Sequence, residues 1–148
     1  MNRVNLFLTI AVLAAGVACS KGRYSTGAFH LAPDGNIERG KQAFLSMGCN
    51  TCHRVSGVEL PAPTVTPQVP VSLGGEVIHQ LSDGYLATSM LHPSYELAPY
   101  LERDIASAGQ SRMPSYNDRM TTRQLTDIVT FLQAHYTVPH DDVDTLTH

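Results

Sequence analysis

The stretch Cys49-Asn50-Thr51-Cys52-His53 decides how the rest of this chain is read. Two thiols at i and i+3 face the same side of a helical turn. They can add to the two vinyl groups on one edge of a haem, and the next residue, His53, brings its imidazole to the iron. C-x-x-C-H is the attachment signal for a c-type haem. Two other uses of paired cysteines compete. A thioredoxin-like redox pair wants a βαβ frame, and no alternating strand pattern is visible. A zinc site usually wants four nitrogen or sulfur ligands, and the third cysteine, Cys19, lies far up the chain in an apolar leader. The expected cofactor is therefore one covalent haem c, bound through Cys49 and Cys52, with His53 as an axial iron ligand.

The 148 residues amount to one domain with tails. A net charge of −3 argues against a general nucleic-acid binder. At 43% hydrophobic and 16% charged residues, the composition is globular rather than disordered. Arg3 precedes an apolar run of thirteen residues, Leu6 to Ala18. A membrane span needs about 20, so residues 1–18 read as a secretory signal peptide. The segment Gly16-Val17-Ala18-Cys19 resembles a bacterial lipoprotein cleavage box, although the position three before the cysteine, usually Leu, Val or Ile, holds Gly16. That resemblance implies lipidation of Cys19. Ordinary cleavage after Ala18, leaving a free thiol, is the alternative. Residues 19–35 then form a tether, 36–139 the folded domain, and 140–148, with three Asp in HDDVDTLTH, an acidic solvated tail.

Working outward from the motif, the chain is helical. Asn36 is placed to cap a helix from Ile37 to about Met47, with Ile37, Gly40, Phe44 and Met47 on one face and Gly48 as its stop. Residues 56–75 hold Pro61, Pro63, Pro67 and Pro70, which remove ladder donors; an ordered Pro-rich loop is expected rather than a strand pair. A short helix is expected near Asp83 to Leu91, capped by Ser82 or Asp83 and stopped by Pro93. Residues 95–106 hold at most a helical turn broken at Pro99. The last helix opens on a capping box, Thr121 with Gln124, and carries the stripe Leu125, Ile128, Val129, Leu132, Tyr136 up to Pro139.

The far side of the iron has six candidates: Met47, Met90, Met113, Met120, His79 and His92. Met113 is preferred. It stands in Arg112-Met113-Pro114-Ser115-Tyr116, where Pro114 biases it to extended backbone in a loop. Met90 sits within a helical stretch, Met47 is too near the attachment site to cross over, and Met120, directly before the last helix, is the fallback. His79, His92 and His135 read as surface or loop residues without a metal role.

Together these features resemble the single-domain, mono-haem class I cytochromes c, from Asn36 to about Tyr136. GNIERGKQAFLSMGCNTCH is similar to the first helix and haem motif of that family, with Gly40 and Phe44 as the small residue and aromatic that cross the last helix, and Phe131 as the aromatic they meet. SRMPSY is similar to the distal Met loop. VPVSLGG is similar to the Pro-x-Leu-x-Gly segment under the proximal His, which implies that the Pro70 carbonyl accepts from the Nδ1–H of His53. Such a bond fixes the tautomer and raises ligand basicity. The chain has no Trp for a haem propionate, so Arg54, Arg112 and Tyr116 are the residues considered for that place. The fold implied is all-α, three to five helices around one haem.

A His53/Met113 pair would saturate the iron and favour Fe(II) relative to bis-His ligation. The function expected is one-electron transfer, not enzymatic turnover, between periplasmic or membrane partners such as a quinol-oxidising complex, a terminal oxidase or a periplasmic dehydrogenase. The expected location is periplasmic, lipid-anchored to a bacterial membrane. Two alternatives are a haem subunit of a larger oxidoreductase, and a small-ligand haem sensor or enzyme with an open distal site.

Overall fold

A computed structural model describes residues 29–63, 70–97 and 106–139. Cys19, the segments expected to be signal peptide and acidic tail, and most of 95–106 lie outside the described residues, as do the middle residues of the Pro-rich stretch. Among the described residues there are three α-helices: α1 (Ile37–Ser46), α2 (Asp83–Leu91) and α3 (Thr122–Gln133). Six short strands accompany them: β1 (His53–Val55), β2 (Val71–Leu73), β3 (Gly75–Glu76), β4 (Ala106–Ser107), β5 (Gln110–Ser111) and β6 (Tyr136–Thr137). The described residues therefore combine helices with short strands and are not all-α. No described helix is long and apolar enough to cross a membrane.

Local chemistry sets each helix start. The Asn36 side chain accepts from the N–H of Arg39, and Ser82 accepts from Tyr85. Thr121 and Gln124 form both halves of the capping box. Each bond satisfies an N–H that has no partner within the helix. Helix α1 ends at Gly48, whose φ of +73° turns the chain where a side chain would be strained.

The core lies where α1 crosses α3. Phe44, Phe131, Ile128 and Val129 are its largest fully buried side chains. Each contributes roughly 1.5–3 kcal/mol by leaving water. The Phe44 and Phe131 rings meet edge-on, 5.7 Å apart at a 62° angle. Gly40 makes the approach possible: a Cβ there would press into the Asp127 carbonyl oxygen and stand 2.6 Å from Phe131 Cβ. The aromatic and small residues expected at the crossing therefore meet there.

Asp127 closes one end of the crossing. Its carboxylate accepts from Arg39 Nε at 2.9 Å, from an Arg39 terminal nitrogen at 2.9 Å and from the Asn36 backbone N–H at 2.8 Å. Residues ahead of α1, expected to belong to a tether, are seated on the domain from at least Leu31. Its N–H donates to Asp83 Oδ2 at 2.9 Å. Helix α2 buries Leu86, Ala87 and Met90 and is tied to α3 through Gln133, which donates to Leu81 O and Asp83 Oδ1.

Two expectations need correction. The stretch read as loop alone ends in strands: β2 pairs parallel with β1, Val71 opposite His53, and β3 pairs parallel with β6, Gly75 opposite Tyr136. The prolines precede β2, so they cost it no donor, and the Val71 N–H bonds to Cys52 O at 2.8 Å. The last helix stops at Gln133 rather than running to Pro139. Tyr136 keeps the i+4 spacing from Leu132, yet it lies in β6. The Gly75 N–H bonds to His135 O at 2.7 Å, drawing the chain out of the helix.

Candidate haem site

The attachment motif follows α1 directly. Gly48 opens a 3₁₀ turn, Cys49–Thr51, closed by Thr51 N–H to Gly48 O at 3.0 Å and Cys52 N–H to Cys49 O at 3.2 Å. This tight turn carries both cysteines. Cys49 is buried and Cys52 is exposed. Burial pushes the Cys49 thiol up to about 11, the Tyr116 hydroxyl beside it acting in the opposite direction. Tyr116 is itself pushed up to about 12, first by burial and then by the neighbouring Cys49.

His53 opens β1, so pairing with β2 fixes its backbone. Its Nδ1 lies 3.3 Å from the Val71 carbonyl oxygen, a distance that suits Nδ1–H donating to that oxygen. Nε2 then keeps the lone pair that a metal ligand would offer. Burial lowers the His53 pKa, the Val71 carbonyl opposing it, and this favours the neutral imidazole that a metal requires. The His53 ring lies 6.5 Å from that of Phe44, so the core crossing also supports the imidazole.

The carbonyl at Nδ1 is that of Val71, not Pro70. The reason is register. Counting back two residues from Leu73, as the Pro-x-Leu spacing requires, reaches Val71; Pro70 is three back. The parallel ladder sets Val71 opposite His53.

Met113 stands in the loop between β5 and α3, partly buried and packed against the core cluster. Its N–H donates to Ser111 Oγ at 3.1 Å. Met90 is buried within α2, Met47 is the C-cap of α1, and Met120 directly precedes the N-cap of α3. His79 and His92 are exposed, and His135 Nδ1 lies 2.7 Å from Phe131 O. Among the described residues, no three His, Cys, Asp or Glu gather as a metal cage.

Of the residues considered for propionates, Tyr116 turns inward: its hydroxyl donates to Met47 O at 3.2 Å. Arg54 is exposed and donates to Asn50 O. Sequence reasoning missed the Val71 carbonyl, which the Leu73 count could have found. It also missed the inward use of the Tyr116 hydroxyl, for which the chain carries no local signal.

This donor set fits a covalently attached haem. It offers two thiols on one turn and an imidazole with one nitrogen already engaged, while Met47, Val58, Leu60, Leu73 and Met113 pack against the same apolar core. The profile of the cytochrome c family matches residues 37–135. The chain belongs to the cytochrome c family. Its cofactor is haem c, covalently attached, and its general role is haem-based electron transfer, family members being typically carriers rather than enzymes. No curated protein and no solved structure matches the chain.

Proposed function

We propose that this cytochrome c is a one-electron carrier whose haem iron is held by His53 on one side and Met113 on the other, with Cys49 and Cys52 as the covalent attachment points. The haem, when bound, supplies reversible Fe(III)/Fe(II) chemistry. The residues do the rest. The Val71 carbonyl orients His53 and raises its basicity. The α1–α3 crossing holds the imidazole against Phe44. The Met113 loop, packed on the core, keeps a soft thioether available and water away. With His53 and Met113 both engaged by the iron, no place would be left for a substrate, which favours transfer over turnover. The observation that carries it is the pairing of β1 with β2, which sets His53 Nδ1 on a backbone carbonyl immediately after a two-cysteine turn.

We further propose export through residues 1–18 and a lipid anchor on Cys19, holding the domain at a bacterial membrane surface. Partners would be membrane or periplasmic redox proteins: a quinol-oxidising complex, a terminal oxidase or a dehydrogenase. The charge of −3 favours a basic docking patch and salt-sensitive association.

The test is the optical spectrum of the reduced protein before and after carbon monoxide. A low-spin spectrum that the gas shifts only slowly is expected. A prompt shift would mean an open distal site and would favour small-ligand sensing or catalysis. In the same preparation, Cys19→Ser should move the protein from the membrane to the soluble fraction. No change in partition would remove the lipid anchor from the proposal.

A further inference from the structure

The loop that carries Met113 is tied on two sides. Towards α2, the Tyr116 N–H donates to Met90 O at 3.1 Å and Ser115 Oγ donates to Leu91 O. Towards the attachment turn, the Tyr116 hydroxyl donates to Met47 O at 3.2 Å. Met47 is the last residue before Gly48 and the two-cysteine turn. Tyr116 is 7% exposed, so this bond is shielded from competing water. Two further bonds wind the chain onto it, since the Arg119 and Met120 N–H groups both donate to Tyr116 O.

One side chain thus joins the loop bearing the distal Met to the backbone bearing the haem attachment. Met113 is three residues upstream, and its own N–H is held by Ser111 Oγ. The position of its thioether relative to the attachment turn depends on how firmly the loop is fixed at Tyr116.

We propose that Tyr116 is a positioning residue for the distal ligand: its hydroxyl, through Met47 O, locks the Met113 loop to the attachment turn and keeps the thioether on the iron. This rests on the reading of Met113 as the axial ligand. The ring packs in the core and supplies bulk, while the hydroxyl supplies register. A phenylalanine would keep the first and lose the second.

The experiment compares the reduced holoprotein with its Tyr116→Phe variant, measuring the rate at which carbon monoxide displaces the distal ligand. The ferric thioether-to-iron charge-transfer band is recorded alongside. Losing the bond to Met47 O, and with it the hydroxyl's contact with Cys49, should speed displacement by about three- to tenfold and weaken the band. Asp127→Asn serves as the stability control. It perturbs the Asn36 end of α1, away from Met47, and should leave the displacement rate unchanged.

An unchanged rate and band in Tyr116→Phe would overturn the proposal while leaving Met113 as the ligand. An equal acceleration in Asp127→Asn would also overturn it, because general loosening would then suffice. If the unsubstituted protein already takes up the gas promptly, Met113 is not a firm ligand and both readings fall. Should Tyr116→Phe not fold, fluorotyrosine at position 116 keeps the ring and strengthens the donor. It should slow displacement, and no change would count against the proposal.

Discussion

At the scale of single residues, Asp127 ties α3 to the start of α1 through Arg39 and the Asn36 N–H. In the sequence it is one polar residue beside an apolar stripe, yet its side chain is 4% exposed and its partner Arg39 is 88 positions away. The Arg39 guanidinium, helped by the Asn36 N–H and opposed by burial, holds the Asp127 carboxyl below the usual carboxylate value. The folded chain therefore binds a proton at Asp127 less readily than the unfolded chain does. Its contribution is complete above the unfolded value, near pH 4, and is lost as pH falls through the lower folded value. Asp127→Ala strands the part-buried Asn36 N–H and should cost about 1–3 kcal/mol at neutral pH. Urea midpoints measured from pH 7 down to pH 2 check both points: the variant should start lower and converge on the parent in acid. Parallel curves would mean that the carboxylate charge contributes nothing. The acceptor for His53 was misread for a related reason. A backbone carbonyl carries no residue identity, and Pro70 was the conspicuous residue beside the one that ladder register selects.

At the scale of elements, the three helices were readable from their caps, since Asn36, Ser82 and Thr121 each start a helix where a side-chain oxygen meets an orphan N–H. The strands were not. Two or three residues are too few for an alternating pattern, and their partners are distant in sequence. The β4–β5 hairpin makes the point. Its two-residue turn, Ala108-Gly109, has φ of +50° and +74°, and Ser107 pairs with Gln110 across it. That is the backbone of a type I′ turn, which favours Asn-Gly. Ala is the less suited residue for the first place, because its Cβ crowds the carbonyl in the left-handed region. Ala108 is exposed, so replacing it loses no packing. Ala108→Asn should stabilise the protein by about 0.5–1 kcal/mol, read as a rise in thermal midpoint with an unchanged spectrum. A fall would mean that the turn is not left-handed at Ala108 in solution. The same hairpin precedes the Met113 loop, so a better turn should also slow displacement of the distal ligand by carbon monoxide.

At the scale of the whole molecule, the order of parts was legible: first helix, two-cysteine turn, the segment after the prolines, short helix, Met113 loop, final helix. The packing of the middle on the ends was not, because the bonds that make it, Tyr116 hydroxyl to Met47 O and Gln133 to Asp83, join residues 69 and 50 positions apart. Helices α1 and α3 hold each other through Phe44, Phe131, Ile128 and the Arg39–Asp127 pair. The remainder is bound more lightly. Helix α2 is tied to α3 through Gln133, and the Met113 loop hangs on Met90 O, Leu91 O and Met47 O. A domain of about 100 residues has a modest core and often needs a staple. A covalent macrocycle would supply both a staple and a large apolar object for α2 and the loop to pack on. Removing it should strip those parts first. The variant Cys49→Ala/Cys52→Ala, which offers no thiol for attachment, should show far-UV circular dichroism with a fraction of the holoprotein helicity and no cooperative melt. Hydrogen exchange on the same sample should leave residual protection in α1 and α3 and none in α2 or residues 111–120. A variant with the helicity and sharp melt of the holoprotein would mean that α2 and the loop pack adequately without the haem, and that the cofactor occupies a site the polypeptide builds alone.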